Sequence, residues 1–309
     1  MRNEKISGEM HSNHTHTIGV CGLGLIGGSL AKALRVAFPQ TRIIAADCEG
    51  KTLRHAVADS CANETILAAP DDGGAFLRAF DGCDFLFLCA PPPIVAEQLA
   101  GLKDVKVGVI TDVASVKIPI MKAAANLPNF IGGHPMAGSE GAGYEASDAA
   151  LFKGASYIIS GHSAGLESLI TAIGARPIIM DAESHDRRMA FISHLPHIAA
   201  FALAASPVLR DDPLTRSLIG GGFRDTTRIA ASAPSLWSDI FTESKFLPSA
   251  IDDYIEELRA LKTLISSGDK NALIEHLRVV SDFRRKIPEG LKTKTNNLPK
   301  ENEKEQKKE

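Results

Sequence analysis

Three short segments carry residues whose types and spacing can do chemistry. The first is GLGLIGG, in which Gly22, Gly24 and Gly27 form G-x-G-x-x-G together with Leu23, Leu25 and Ile26. It directly follows the apolar run HTIGVCG and opens a helical pattern, the context in which such a loop holds a pyrophosphate. Gly22 permits the tight turn, Gly24 lets the backbone approach phosphate, and Gly27 lets helix and strand pack closely. Free amides at the helix start then face the anion. Asp47 ends the next apolar run, IIAAD, twenty residues beyond Gly27. A carboxylate there accepts hydrogen bonds from both ribose hydroxyls of an adenosine and repels a ribose phosphate, so the pair reads as an NAD site in preference to NADP. CAPPP, with Cys89, Ala90 and Pro91, ends another long apolar run and is expected to border the same cofactor, as a rigid proline turn.

The second segment is TDVASVK, which places Asp112 and Ser115 after a further apolar run, where both are expected to border the cofactor. Ser115 can donate a hydrogen bond to a ligand or cap a following helix, and the two roles are compatible. The third is GGHPMAGSE, in which glycines and Pro135 hold a turn around His134. A histidine there can take a proton from a substrate hydroxyl near neutral pH, or simply hydrogen-bond within its loop. As a base of ordinary basicity it would make activity rise through an apparent pKa of roughly 6 to 7.

These segments need elements to place them. HTIGVCG, RIIAAD, FLFLCA, VKVGVITDVA, NFIGG, ASYIIS and PIIM are continuous apolar runs without in/out alternation, which predicts a parallel sheet buried on both faces by helices. After Met180 the pattern turns helical. DAESHDRRMAFISHLPHIAAFALAAS starts with capping residues, and Ile251, Tyr254, Ile255, Leu258, Leu261 and Ile265 recur at helical spacing before an SSGDK turn and a second helix. The expected fold class is α/β: a Rossmann-type dinucleotide-binding domain over residues 15–181, then an all-helical domain over 182–290. Residues 1–14, which carry His11 and His14 of a short histidine cluster completed by His16, read as a flexible polar leader, and 291–309 as a disordered charged tail.

Composition narrows the setting. The 309 residues are 44% hydrophobic, enough for two cores, and a formal net charge of −3 offers no overall basic field for nucleic acid or an anionic membrane. No apolar run has the length of a membrane span, and the first residues lack the apolar core of a signal peptide. Five irregularly spaced cysteines, all in the first third, read as reduced thiols. A cytoplasmic protein with no metal site is expected.

Taken in order, GLGLIGGSL, DVASVK, GGHPMAGSE, GASYIIS, SHLPHIAAFAL and GGGFRDTTRIAASAPSLWSDI resemble the prephenate and arogenate dehydrogenases over roughly Thr17 to Ile240. The resemblance implies a homodimer through the helical domain and an active site between the two domains. It implies that His134 is the catalytic histidine on a ring hydroxyl and that Ser115 helps hold that hydroxyl and the nicotinamide. Arg228 would bind a substrate carboxylate, which suits a planar guanidinium with two parallel donors. His197 and Ser193 would form the substrate wall, with Ser139, Ser232, Trp237 and the glycine-rich turn around Gly221 as further pocket positions. Glu140 and Asp225 would be acidic partners of the arginine, Asp225 from the other subunit. From spacing alone, His194 and His197 could equally be core histidines beside a kink at Pro196, Trp237 a core residue, and Arg228 a surface ion pair.

The implied reaction is oxidative decarboxylation of prephenate to 4-hydroxyphenylpyruvate, a step in tyrosine formation. Arogenate, or both substrates, is the near alternative; no acidic residue obviously claims an ammonium group. A 3-hydroxyacid dehydrogenase would be expected to carry a catalytic lysine in its helices, and a non-catalytic NAD sensor need not keep His134, Ser115 and Arg228 together.

Overall fold

The seven apolar runs, joined by one further strand, form a single eight-stranded sheet. The computed structural model describes residues 16–68, 74–139, 141–206 and 211–287. The expected leader, the expected tail and Glu140 therefore lie outside the described residues. The strands are β1 Thr17–Cys21, β2 Arg42–Asp47, β3 Glu64–Leu67, β4 Phe85–Leu88, β5 Val109–Asp112, β6 Phe130–Pro135, β7 Ser156–Ser160 and β8 Arg176–Ile179, in the sheet order β3-β2-β1-β4-β5-β6-β7-β8. Crossover helices α1 Leu25–Ala37, α2 Gly50–Ala58, α3 Pro92–Gly101, α4 Ile118–Ala123 and α5 Ala164–Ala172 join them.

Alternate residues of each central strand enter opposite cores. Ile18, Val20, Ile43, Ala45, Phe85 and Phe87 share one cluster with Leu30 and Leu34 of α1. Cys21, Ile44, Ala46, Leu86 and Leu88 share another with Val95 and Leu99 of α3. Burial on both faces explains why no polar alternation marks these strands.

Two features depart from the expected parallel sheet. β3 is an additional edge strand, half exposed and pairing only with β2, so its short ETIL segment carries little apolar signal. β7 runs antiparallel to β6, with Pro135 opposite Tyr157. Among its described residues, the connection between them has only a short turn of helix at Tyr144–Ala146, and it packs on α1, where Asp148 N–H donates to Ser29 Oγ at 2.9 Å. The chain thus re-enters the sheet at the end by which it left, with no crossover to reverse it.

Beyond Ile179 the described elements are all helical: α6 Ala182–Met189, α7 Leu195–Ala204, α8 Pro213–Ser217, α9 Gly221–Thr227, α10 Pro234–Glu243, α11 Leu247–Ser267 and α12 Lys270–Lys286. Asp181 caps α6, its Oδ1 accepting the Ser184 N–H at 2.8 Å. Between α6 and α7 the helix widens to a π turn over Ala190–His194. Pro196, with no N–H to donate, follows at once and favours that wider ladder over a plain helix. The compact units part between Asp253 and Tyr254, later than the change from strand to helix. The reason is local: α6 is tied to the end of β5 through Asp186, and Val116 packs on Trp237 of α10. In the second unit, the rest of α11 and α12 turn on Gly268, whose φ is +70°, and on the Asp269 cap. Leu258, Ile265, Leu277, Val280 and Phe283 there are all exposed.

Candidate active site

The ends of β1, β4, β5 and β6 lie side by side at one edge of the sheet, the edge where ligands bind in open α/β folds. At β1, Gly22 has φ +93°, a left-handed conformation that a side chain would strain. A Cβ on Gly22 would also meet the Cys89 carbonyl carbon at 2.9 Å, so the Cys89–Ala90–Pro91 turn rests directly on the loop. A Cβ on Gly27 would lie 1.8 Å from the Gly22 carbonyl oxygen, the close packing inferred from spacing. Gly24 meets nothing within 4 Å. It leaves open space at the start of α1, whose first turn has no side-chain cap. The Leu25 and Ile26 amides there are free to face a phosphate, so the residues present suit a dinucleotide pyrophosphate.

Leu23 behaves differently from its neighbours. Its side chain is buried and its N–H donates to Asp47 Oδ2 at 2.7 Å, so it ties the loop to β2. Asp47 Oδ1 accepts the Glu49 N–H at 2.9 Å. A carboxylate has about four acceptor positions, and the remaining ones suit a pair of hydroxyls. The Cys89 thiol is driven well above its ordinary pKa by burial, with Cys21 and Asp112 adding to the effect, and stays uncharged.

Asp112, expected beside the cofactor, is instead fully buried. Its Oδ1 accepts the Gly133 N–H at 2.9 Å, its Oδ2 the Ala114 N–H at 2.9 Å, and it pairs with the buried Lys117 ammonium. These bonds lock the ends of β5 and β6 together. Ser115 follows on the loop, half-buried. Its hydroxyl makes no hydrogen bond among the described residues, and the helix-cap alternative does not apply, because α4 is preceded by Lys117.

The glycines before His134 belong to β6 itself, not to a turn. Gly133 is needed because a Cβ would lie 2.4 Å from the Asp112 carbonyl oxygen. His134 is buried, its Nδ1 lies 2.8 Å from His185 Nε2, and His185 Nδ1 lies 2.7 Å from Asp186 Oδ1. Burial, then the neighbouring His185, Lys117 and His194, push His134 well below its ordinary pKa of 6.5. This corrects the expected limb at pH 6 to 7, which assumed an imidazole in water. The base is ready at lower pH because its charged form is poorly solvated.

The helical side of the site is built around Trp237. His197 stacks on its ring at 3.4 Å between centroids, and His194 meets it edge-on at 6.4 Å. His197 Nδ1 bonds to the Ser193 carbonyl at 2.9 Å, so Ser193 supports the wall through its backbone. Burial lowers the His197 pKa, the Ser193 carbonyl opposes this, and the Arg228 charge lowers it further, placing Arg228 in the same neighbourhood. His194 is fully buried, with Nδ1 2.8 Å from Ser244 Oγ. Its pKa falls to about 4, chiefly by burial, while Asp186 and the Ser115 backbone oppose the fall. Ring contacts and electrostatic interactions therefore link His134 and His185 through His194 and Trp237 to His197 and Arg228.

Other expected positions stand apart from that run. Ser232 Oγ donates to the Ile229 carbonyl at 2.8 Å, just after Arg228. Ser139 is exposed and accepts the Gly141 N–H at 3.3 Å. Gly221 opens α9, and Asp225 is exposed on that helix. Sequence reasoning missed His185, Asp186 and Lys117. The only local sign was a His-Asp pair in the first turns of α6, which reads equally well as ordinary polar residues near a helix start.

The nucleotide-binding domain model of prephenate dehydrogenase matches residues 30–180, and its dimerization domain model matches residues 181–279. Prephenate dehydrogenase of Bacillus subtilis (strain 168) is 32% identical over 289 residues, covering 88% of this chain and 76% of that protein. Cyclohexadienyl dehydrogenase of Zymomonas mobilis is 33% identical over 288 residues, covering 84% of this chain and 92% of that one. The crystal structure of prephenate dehydrogenase from A. aeolicus in complex with hydroxyphenyl propionate and NAD+ superposes with a TM-score of 0.80 at 30% identity, over 90% of this chain and 100% of that one. With a dinucleotide loop after β1, a buried histidine at the end of β6 and a helical wall bearing an arginine, the chain belongs to the prephenate dehydrogenase family.

Proposed function

We propose that this protein catalyses the NAD-dependent oxidative decarboxylation of prephenate to 4-hydroxyphenylpyruvate. The observation that carries the reading is His134: a buried imidazole at the end of β6, one nitrogen hydrogen-bonded behind it and the other with no partner among the described residues. Bound NAD supplies the acceptor for the hydride that leaves the ring carbon. Gly22 to Gly27 would hold its pyrophosphate and Asp47 its adenosine ribose. His134 takes the proton of the ring hydroxyl as that carbon is oxidised, with Ser115 donating to the same oxygen. Arg228, beside His197 and Trp237, binds a substrate carboxylate. Loss of carbon dioxide aromatises the ring, so the protein's work is to orient it and accept one proton.

The exposed apolar side chains of α11 and α12 support a homodimer formed through the helical region, in keeping with its match to a dimerization domain. No described helix is long and apolar enough to cross a membrane, and the cysteines are free thiols, which supports a place in the cytoplasm. The test is reduction of NAD with prephenate and with arogenate in parallel. Turnover of prephenate with little of arogenate is expected. Comparable rates would move the protein to the dual-substrate reading that its likeness to a cyclohexadienyl dehydrogenase also supports, and no turnover of either would refute the assignment.

A further inference from the structure

A histidine can act as a base only at the nitrogen that lacks a hydrogen, and the hydrogen bonds behind His134 determine which one that is. Asp186, fully buried in α6, accepts the Lys117 N–H at Oδ1 (2.7 Å) and the Ile118 N–H at Oδ2 (2.8 Å). Backbone amides can only donate, so both carboxylate oxygens are acceptors here. Asp186 Oδ1 also lies 2.7 Å from His185 Nδ1, which must therefore donate. His185 Nε2 is then the lone-pair nitrogen, and at 2.8 Å it accepts from His134 Nδ1. His134 is left with its lone pair on Nε2.

We propose that His185 and Asp186 are positioning residues, which hold His134 in the Nδ1–H tautomer so that Nε2 is the base offered to substrate. The proposal rests on the reading of His134 as the base. The opposite tautomer would present an N–H to the substrate hydroxyl and could not take its proton. Once Nε2 is protonated, Nδ1 still donates to His185, and the Asp186 carboxylate stabilises the new charge across that ring. Opposing groups also face the ring: Lys117, itself paired with Asp112, from the β5 loop, and His194 from the π turn. They disfavour charge on His134 before substrate arrives.

The chain is tested in the full-length enzyme with His185→Asn and His185→Gln. The asparagine amide stands near the former Nδ1, where it can donate to Asp186, but is too short to reach His134. The glutamine amide oxygen stands near the former Nε2, where it can accept from His134. His185→Asn is expected to lower kcat by about 100-fold, within the range that a positioned base contributes, with KM for prephenate and NAD affinity little changed. His185→Gln should recover at least about tenfold of that loss, since it restores the acceptor. Nitrogen NMR of histidine-labelled wild-type enzyme, with His134 assigned by its absence in His134→Asn, should show a protonated Nδ1 and an unprotonated Nε2; this readout needs no His185 variant to fold. Wild-type turnover in His185→Asn, equal losses in both His185 variants, or the reverse tautomer overturns the proposal. Those results with an inactive His134→Asn would sink the positioning role alone. An active His134→Asn would remove the base reading and the positioning role with it.

Discussion

Asp47→Asn removes one negative charge at nearly constant shape, and its cost can be followed bond by bond. Asp47 accepts the Leu23 N–H at 2.7 Å and the Glu49 N–H at 2.9 Å. Asparagine has one oxygen, so one of these donors comes to face an NH₂ group. A hydrogen bond to a charged group contributes about 1.5–3 kcal/mol, and the half-exposed setting argues for the lower end. Loosening of the glycine loop weakens NAD and NADP alike and cancels from their ratio. The ribose hydroxyls of NAD also lose a charged acceptor, about 1.5 kcal/mol more. For NADP the change has the opposite sign. A phosphate charge about 5 Å from the carboxylate costs about 3 kcal/mol at an effective dielectric of 20, and solvent screening reduces this to about 1–2 kcal/mol. The two differences add to about 3 kcal/mol, so the preference for NAD over NADP should fall by roughly 100-fold. The assay is kcat/KM for each cofactor at saturating prephenate, in the wild type and in Asp47→Asn. A wild type that uses both cofactors equally, or a variant with an unchanged ratio, would refute the place assigned to Asp47.

His134→Asn should reduce kcat by about 100-fold or more with little change in KM, whereas Arg228→Gln should raise KM for prephenate by roughly 30-fold, or about 2 kcal/mol; a single pattern of loss in both would show the roles to be wrongly divided. Because burial depresses the His134 pKa, kcat/KM for prephenate should stay level as pH falls through 6.5 and decline only below it; a limb centred at 6.5 would contradict the burial argument. His134 and His194 are neutral in the fold, so below 6.5 the unfolded chain binds more protons, and stability should drop as pH falls from 6.5 towards about 4, read as a falling Tm. Gly27→Ala puts a methyl group 1.8 Å from the Gly22 carbonyl oxygen, and should cost about 3 kcal/mol of stability along with NAD binding; an unchanged Tm would mean the helix can retreat freely. Light scattering at micromolar concentration should report about twice the monomer mass, and a fully active monomer would rule out the proposed homodimer.

What was legible in the sequence was local. The glycine loop, the acid twenty residues on, the Asp181 cap and the apolar strands follow from short-range sterics and hydrogen bonding, which a few neighbouring residues decide. His134 could be singled out because it sits against a strand end, and Arg228 and His197 only through resemblance to a family. Tertiary structure decided the rest. The direction of β7 was invisible because an apolar strand buried on both faces reads alike either way, and β3 because an exposed edge strand needs few apolar residues. Asp112 stood beside a crevice in the sequence, yet its oxygens are claimed by Gly133 and Lys117, which only the meeting of β5 and β6 brings within reach. The His134–His185–Asp186 chain joins residues 51 positions apart and then adjacent. A proton's place on an imidazole depends on which donor or acceptor lies within about 3 Å, and across 51 residues of chain only the folded packing of α6 against the end of β6 sets that distance.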